Sequence, residues 1–188
     1  SVTCKFCAAG KFYQSVSQSC AACPEGKYQE ENAKNQAVCK FCVAGTEFVD
    51  TESTCRNCDA GQYQHENAEI QVACKFCLTG EYFTQVNTKC APCLTGMYQD
   101  ETQTEQISGG TGYREVECKF CQPGKDFVDT KNACSFCDVG KYQEETSKAS
   151  ALCESCPKGY AYTNTTLPCA LCINGKYQDL PQSTSYNC

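Results

Sequence analysis

The sequence predicts a small disulfide-rich fold, an elongated tandem-repeat rod of short β-hairpins and turns with little regular secondary structure and no single hydrophobic core. Three observations predict it. The first is a ladder of CxxC pairs, at Cys4/Cys7, Cys20/Cys23, Cys39/Cys42, Cys55/Cys58, Cys74/Cys77, Cys90/Cys93, Cys118/Cys121, Cys134/Cys137, Cys153/Cys156 and Cys169/Cys172. Gaps of twelve and fifteen residues alternate between them, giving a period of 35 that is broken only by nine extra residues between Cys93 and Cys118. A fixed period in this range marks a series of supersecondary units, each leaning on its neighbours. The second is a set of recurring non-cysteine positions. A glycine stands three residues after the second cysteine of every pair, from Gly10 and Gly26 to Gly159 and Gly175. An aromatic follows each glycine, and in the second half of each repeat a glutamine follows the aromatic, at Gln29, Gln64, Gln99, Gln143 and Gln178.

The third observation is composition. Leu, Ile, Val and Phe make up roughly 15% of the chain, below the share of an ordinary globular domain. There are 21 Cys, one Met and no Trp among 188 residues, which is the composition of a disulfide scaffold. Crosslinks must stand in for a core. Closing a loop of about 15 residues is worth roughly 3 kcal/mol in the chain-entropy model. Ordering a residue costs about 1–2 kcal/mol, so a reduced repeat would not stay folded. Oxidised cysteines place the protein outside the cell or at its surface.

Five repeats follow in order: residues 1–38, 39–73, 74–117, 118–152 and 153–188. In the second, Thr46–Thr51 alternates well enough for a strand of two to four residues, as does the matching Lys125–Thr130 of the fourth. Glu66–Ala73 and Glu144–Leu152 contain good helix formers and are expected to allow one or two helical turns. The third repeat holds the insertion, a glycine-rich surface loop at 99–117 with neither the lysine nor the spacing of a phosphate-binding loop. The fifth diverges most and carries the sequon Asn164-Thr165-Thr166, where an N-linked glycan is expected.

Several functional classes fall away. A net charge of -6 argues against nucleic acid, and no apolar run is long enough for a membrane span. Ser1 is not followed by a signal segment, so the chain reads as a mature product or an excised piece. No catalytic residue is expected and the chain reads as no enzyme. Its one histidine, His65, stands where the other repeats have Glu30, Asp100, Glu144 and Asp179. With Glu31, Glu66, Glu101 and Glu145 these acids form a repeating stripe, read as a solvated face, with weak calcium binding as the sharper alternative. The C-x2-C-x12-C-x2-C spacing is close to that of a four-cysteine zinc site. The acidic balance and the glycine–aromatic step after every pair favour disulfides over zinc, and no cofactor is expected.

Two pairings remain open. A ladder joins the second cysteine of each pair to the first of the next: Cys7–Cys20, Cys23–Cys39, Cys42–Cys55, Cys58–Cys74, Cys77–Cys90, Cys93–Cys118, Cys121–Cys134, Cys137–Cys153, Cys156–Cys169 and Cys172–Cys188. It leaves Cys4 for an inter-chain bond. A nested scheme instead joins Cys4 to Cys20 and Cys7 to Cys23 and leaves Cys188 over. The closed loops are similar in length, so entropy does not separate the schemes. The ladder is preferred because each CxxGxY...C loop then becomes one closed turn.

The recurrent CxxCxxGxYQ, seen in Cys20–Gln29 and Cys134–Gln143, resembles the ephrin-receptor-like cysteine-rich repeats, relatives of the tumour necrosis factor receptor modules in the growth-factor-receptor cysteine-rich group. The resemblance covers the whole chain and implies a disulfide-stapled rod of turns and hairpins. Four cysteines in 35 residues depart from the receptor module's usual six in about forty, and no ligand-binding residue carries over. The expected role is an extracellular structural protein, a segment or subunit of a surface filament, hair or coat. The chain opens and closes at equivalent cysteines, so it can associate head to tail or continue in a longer chain. The alternative is a receptor-like ectodomain or adhesion module that binds a protein ligand through the 99–117 loop.

Overall fold

The computed structural model describes residues 4–102, 114–180 and 188, and the fold follows from the ten glycine turns. In the first turn Lys11 N–H donates to the Ala8 carbonyl, 3.2 Å, with Gly10 as the third residue. The same bond recurs at every turn, down to Lys176 N–H and the Ile173 carbonyl. All ten turn glycines have φ between 74° and 94°. That is the left-handed residue of a type II turn, a conformation for which glycine has no Cβ penalty.

Seven of the ten turns launch a strand of two residues, and its partner is the pair of residues inside the next CxxC. The antiparallel hairpins are β1 (Lys11–Phe12) with β2 (Ala21–Ala22), β3 (Lys27–Tyr28) with β4 (Lys40–Phe41), and β5 (Thr46–Glu47) with β6 (Arg56–Asn57). They continue as β7 (Glu81–Tyr82) with β8 (Ala91–Pro92), β9 (Lys125–Asp126) with β10 (Ser135–Phe136), β11 (Lys141–Tyr142) with β12 (Glu154–Ser155), and β13 (Tyr160–Ala161) with β14 (Ala170–Leu171). Single bridges, Tyr63 to Lys75 and Tyr98 to Lys119, follow the Gly61 and Gly96 turns, and the Gly175 turn, which has no CxxC after it, is followed by neither among the described residues.

This placement fixes the disulfides. Side chains alternate across a strand, so residues three apart point to opposite faces. The two cysteines of a CxxC laid along a strand therefore cannot serve the same loop. Cys20 reaches back to Cys7, and Cys23 reaches forward to Cys39.

The chain divides into two compact units, the first comprising Ser1–Cys77, Phe83–Cys90 and Gln103–Glu115, the second Leu78–Tyr82, Ala91–Thr102 and Val116–Cys188. Neither has a conventional core. In the first, the buried residues include Cys7, Cys23, Ala37, Cys42, Tyr63 and Val72. In the second, Cys121, Cys134 and Ala151 cluster with Tyr98 and Phe127 packed against them.

The helical turns expected at Glu66–Ala73 and Glu144–Leu152 do not form, and the described residues contain no helix. Ala68, Gln71 and Ser150 take φ of 61°, 54° and 53°, and a left-handed residue breaks the helical hydrogen-bond run. Asn67 Oδ1 is meanwhile engaged with the Ala44 N–H at 2.9 Å. Short isolated helices are marginal in water, and tertiary bonds outweigh local propensity here.

Within each unit, successive repeats meet through the turn glycines. A Cβ on Gly26 would stand 2.8 Å from Cα of Ile70, and one on Gly96 would stand 2.3 Å from N of Ser150. At Gly159 the same atom would meet nothing within 4 Å. Gly159→Ala should therefore cost only the left-handed backbone strain, about 1–2 kcal/mol. Gly96→Ala should cost at least about 1 kcal/mol more, because the added methyl must displace backbone. Non-reducing urea unfolding measures both, and equal losses would show that turn conformation alone selects the glycine.

Candidate functional site

The recurring glycines and glutamines build the contact between one repeat and the next. Each first-half glycine donates its N–H to the carbonyl of the glutamine in the same repeat: Gly10 to Gln29, Gly45 to Gln64, Gly80 to Gln99, Gly124 to Gln143 and Gly159 to Gln178, at 2.7–2.8 Å. The glutamine N–H then donates to a loop carbonyl of the following repeat. Gln29 reaches Thr51 at 3.0 Å, Gln64 reaches Val86 at 2.9 Å, Gln99 reaches Thr130 at 3.0 Å and Gln143 reaches Thr165 at 2.9 Å. One backbone thus ties two repeats at each step.

The glutamine side chains are buried, with 0–1% exposure at Gln29, Gln64 and Gln99. A buried amide needs partners. Nε2 of Gln64, Gln99, Gln143 and Gln178 donates to the carbonyl two residues on, at 2.8–2.9 Å. Gln29 is turned the other way. Its Nε2 donates to the Ala8 and Lys11 carbonyls and its Oε1 accepts from Glu31 N–H, so this amide bridges the turn to the spacer.

The cysteines form Cys7–Cys20, Cys23–Cys39, Cys42–Cys55, Cys58–Cys74, Cys77–Cys90, Cys93–Cys118, Cys121–Cys134, Cys137–Cys153, Cys156–Cys169 and Cys172–Cys188. Their Cα atoms lie 5.5–5.8 Å apart, an ordinary disulfide span. Cys4 is exposed and outside any disulfide.

The acidic stripe meets lysines. Glu30 accepts from Lys40 at 2.8 Å, Glu31 from Lys34 at 2.7 Å and Glu145 from Lys148 at 2.8 Å, while Glu101 pairs with Lys119. The hydrogen bond from Lys40 holds the Glu30 carboxyl below the ordinary carboxylate range and raises Lys40 in return. These pairs are half-exposed, so each stabilises little. His65 lies against Tyr63, ring centroids 5.8 Å apart. Among the described residues no three His, Cys, Asp or Glu side chains gather as a metal site would require. Of the insertion loop, 103–113 lie outside the described residues, so the ligand surface expected there has no structural account.

The sequon occupies a distinct turn. Asn164 Oδ1 accepts from both N–H and Oγ1 of Thr166, at 2.9 and 3.0 Å, and Asn164 is exposed. Asp50 and Asp129 stand at the same register and build the same turn. Asp50 Oδ1 accepts from Glu52 and Ser53 N–H, and Asp129 Oδ1 from Lys131 and Asn132 N–H.

Sequence reasoning missed three sets of residues. The buried glutamines were visible as a recurrence, but nothing in a polar side chain announces burial. Ala37, Val72, Val116 and Ala151, each two residues before a cysteine, are buried, and their recurring small apolar side chains were the available signal. Thr51, Val86, Thr130 and Thr165 form the loop side of the joint, and with Val16 at the same register they are β-branched in every repeat.

Neither a protein-family model nor a curated protein matches the chain. The geometry nonetheless settles its class. The chain is a cysteine-rich repeat protein, a tandem series of small disulfide-bonded hairpin modules.

The aspartate turns carry a titration signature. The Glu52 N–H, then the Ser53 hydroxyl, hold Asp50 below the usual carboxylate value, and the Asn132 side chain, then the Lys131 N–H, do the same for Asp129. A depressed folded pKa means the turn contribution is complete above the unfolded value and is lost as pH falls through the folded one. The amide NMR shifts of Ser53 and Asn132 should therefore titrate with midpoints below that of an unfolded aspartate. Midpoints at or above that value would mean the carboxylate bonds do not persist in solution.

Proposed function

We propose that this chain is an extracellular structural protein, a segment or subunit of a disulfide-stapled surface filament, hair or coat, built on ephrin-receptor-like cysteine-rich repeats. The observation that carries the reading is the role of the recurring residues. The glycines, glutamines and cysteines repeated down the chain are engaged in turns, in disulfides and in the contact of one repeat with the next. The recurring glutamines are buried, so even their Oε1 atoms that accept no hydrogen bond, at Gln64, Gln99, Gln143 and Gln178, present no surface to a ligand. Ten disulfides favour an oxidising compartment, and a fold held by crosslinks suits an exposed location where unfolding and proteolysis threaten.

The reading is tested by immunogold labelling of intact, unpermeabilised cells that make the protein. Label on a continuous surface coat or on surface filaments is the expected result. Label confined to the cell interior would overturn it.

An extracellular route also makes Asn164 an N-glycan acceptor, since its turn leaves the side chain exposed. The secreted chain should lose mass on treatment with an N-glycosidase, and the Asn164→Gln chain should not. A secreted chain with unmodified Asn164 would refute the assignment.

A further inference from the structure

The joint between the second and third repeats is packed differently from the others. At Gly10, Gly80 and Gly124 the following repeat lays a side chain over the turn. A Cβ on these glycines would stand 2.9 Å from Cγ of Glu52, 2.8 Å from Cγ of Lys131 and 2.9 Å from Cγ2 of Thr166. At Gly45 the residue in that register is Asn87, and its nearest atom would be 3.6 Å away. The covering loop is also built differently. Asp50, Asp129 and Asn164 each fold their loop by accepting the N–H two residues on. The third repeat has Gln85 at that position, and its side chain makes no hydrogen bond among the described residues. The result is an open cleft of about 740 Å³ beside Gly45, all of it within the first compact unit. Small-ligand sites run to about 300–1,000 Å³.

The lining has a definite chemistry. Phe83, half-buried, supplies apolar surface together with Val43 and Val86. Asn57, Asp59 and Gln85 are exposed on the same cleft, and none of their side chains is engaged in a hydrogen bond among the described residues. Glu115 adds a second carboxylate, and neither Lys nor Arg lines the cleft. Arg56, next to Asn57, is bonded to Glu47 at 2.7 Å.

Each feature narrows the ligand. Without a cation the cleft has nothing to balance a phosphate, a sulfate or a carboxylate, and its own two carboxylates repel one. A wholly apolar ligand would strip water from the amides and carboxylates without replacing those bonds. A neutral sugar suits both kinds of surface. The C–H groups on one face of its ring pack on an aromatic, and its hydroxyls both donate and accept, as amides and carboxylates require.

We propose that the cleft beside Gly45 binds a neutral carbohydrate, with a sugar ring against Phe83 and its hydroxyls bonded to Asn57, Asp59 and Gln85. Asn87 keeps the site open, since a longer side chain there would cover Gly45 as Lys131 covers Gly80. The site is built from residues outside the recurring set, so it goes beyond the structural reading above and does not rest on it.

The test is amide NMR of the full oxidised chain, titrated separately with maltotriose, mannotriose and triacetylchitotriose. At least one of these should shift the amides of Asn57, Gln85 and Asn87 saturably. Gln85→Ala, at an exposed position, should weaken that binding about fivefold, the loss of one hydrogen bond. Asn87→Lys should abolish it while leaving the disulfides and the rest of the spectrum intact, because the chain already carries lysine in this register at Lys131. Asp138→Ala, a change at the fourth-repeat equivalent of Asp59, should leave binding unaltered. Saturation by none of the sugars, or an Asn87→Lys chain that binds like the parent, overturns the site. Saturation of the same amides by spermidine or by a sulfated disaccharide, with none by the neutral sugars, overturns the ligand class. The immunogold result is independent of all these outcomes, so failure of the cleft and failure of the structural reading are told apart.

Discussion

The structure depends on a CxxC motif laid along a β-strand. On a helix, residues three apart share a face, and a CxxC can act as one site. On a strand the same spacing sends the two thiols to opposite faces, so each motif must serve two successive loops. Lys40 and Phe41 show the arrangement: they pair with Tyr28 and Lys27, while Cys39 bonds back to Cys23 and Cys42 forward to Cys55. Hairpin register and disulfide order are therefore one constraint, satisfied together at each step. Slipping a hairpin by one residue would turn both cysteines away from their partners.

Disulfides fix which loops close but not how the repeats stack. Stacking is carried by a backbone device, the glycine turn with its buried glutamine. The turn needs a residue with positive φ and no Cβ, since at Gly96 the neighbouring backbone already occupies the space a side chain would need. The glutamine Nε2 satisfies a spacer carbonyl two residues on in four repeats and turn carbonyls at Gln29, and leaving such a carbonyl buried and unpaired costs about 1–3 kcal/mol. A polar amide in the interior is thus the consequence of having so much irregular backbone there. Apolar side chains take the residual space, small ones at Ala37 and Ala151, slightly larger ones at Val72 and Val116.

Much of this fold was legible in the sequence, for physical reasons. The alternating runs Thr46–Thr51 and Lys125–Thr130 do hold strands, at Thr46–Glu47 and Lys125–Asp126, although both residues of each are half-buried rather than alternately covered. Glycine at ten fixed places marks turns because few other residues adopt their φ. The pairing order was less legible, since the competing loops are nearly equal in length and only the strand placement of the CxxC separates them. Glu66–Ala73 misled because helix propensity is a weak prior: Ala68 and Gln71 are good helix formers, yet both are left-handed beside an Asn67 that bonds the Ala44 N–H. The joint was visible only in part. Its glycines and glutamines recur as identical letters, whereas Val16, Thr51, Val86, Thr130 and Thr165 share branching at Cβ rather than identity.

The same division of labour explains why the third repeat tolerates nine extra residues. Lengthening the closed loop from that of Cys58–Cys74 to that of Cys93–Cys118 raises the sequence separation from 16 to 25. The added closure cost grows only with the logarithm of length, about 0.4 kcal/mol. What the insertion must not disturb is the joint, and it does not. Tyr98 still bridges to Lys119, Gln99 still donates to the Thr130 carbonyl, and Val116 is still buried two residues before its cysteine. The extra residues fall between Gln99 and Val116, the two groups of this loop that hold the repeat in place. Length is therefore free to vary there, while the spacing from each CxxC to its glycine and glutamine is not.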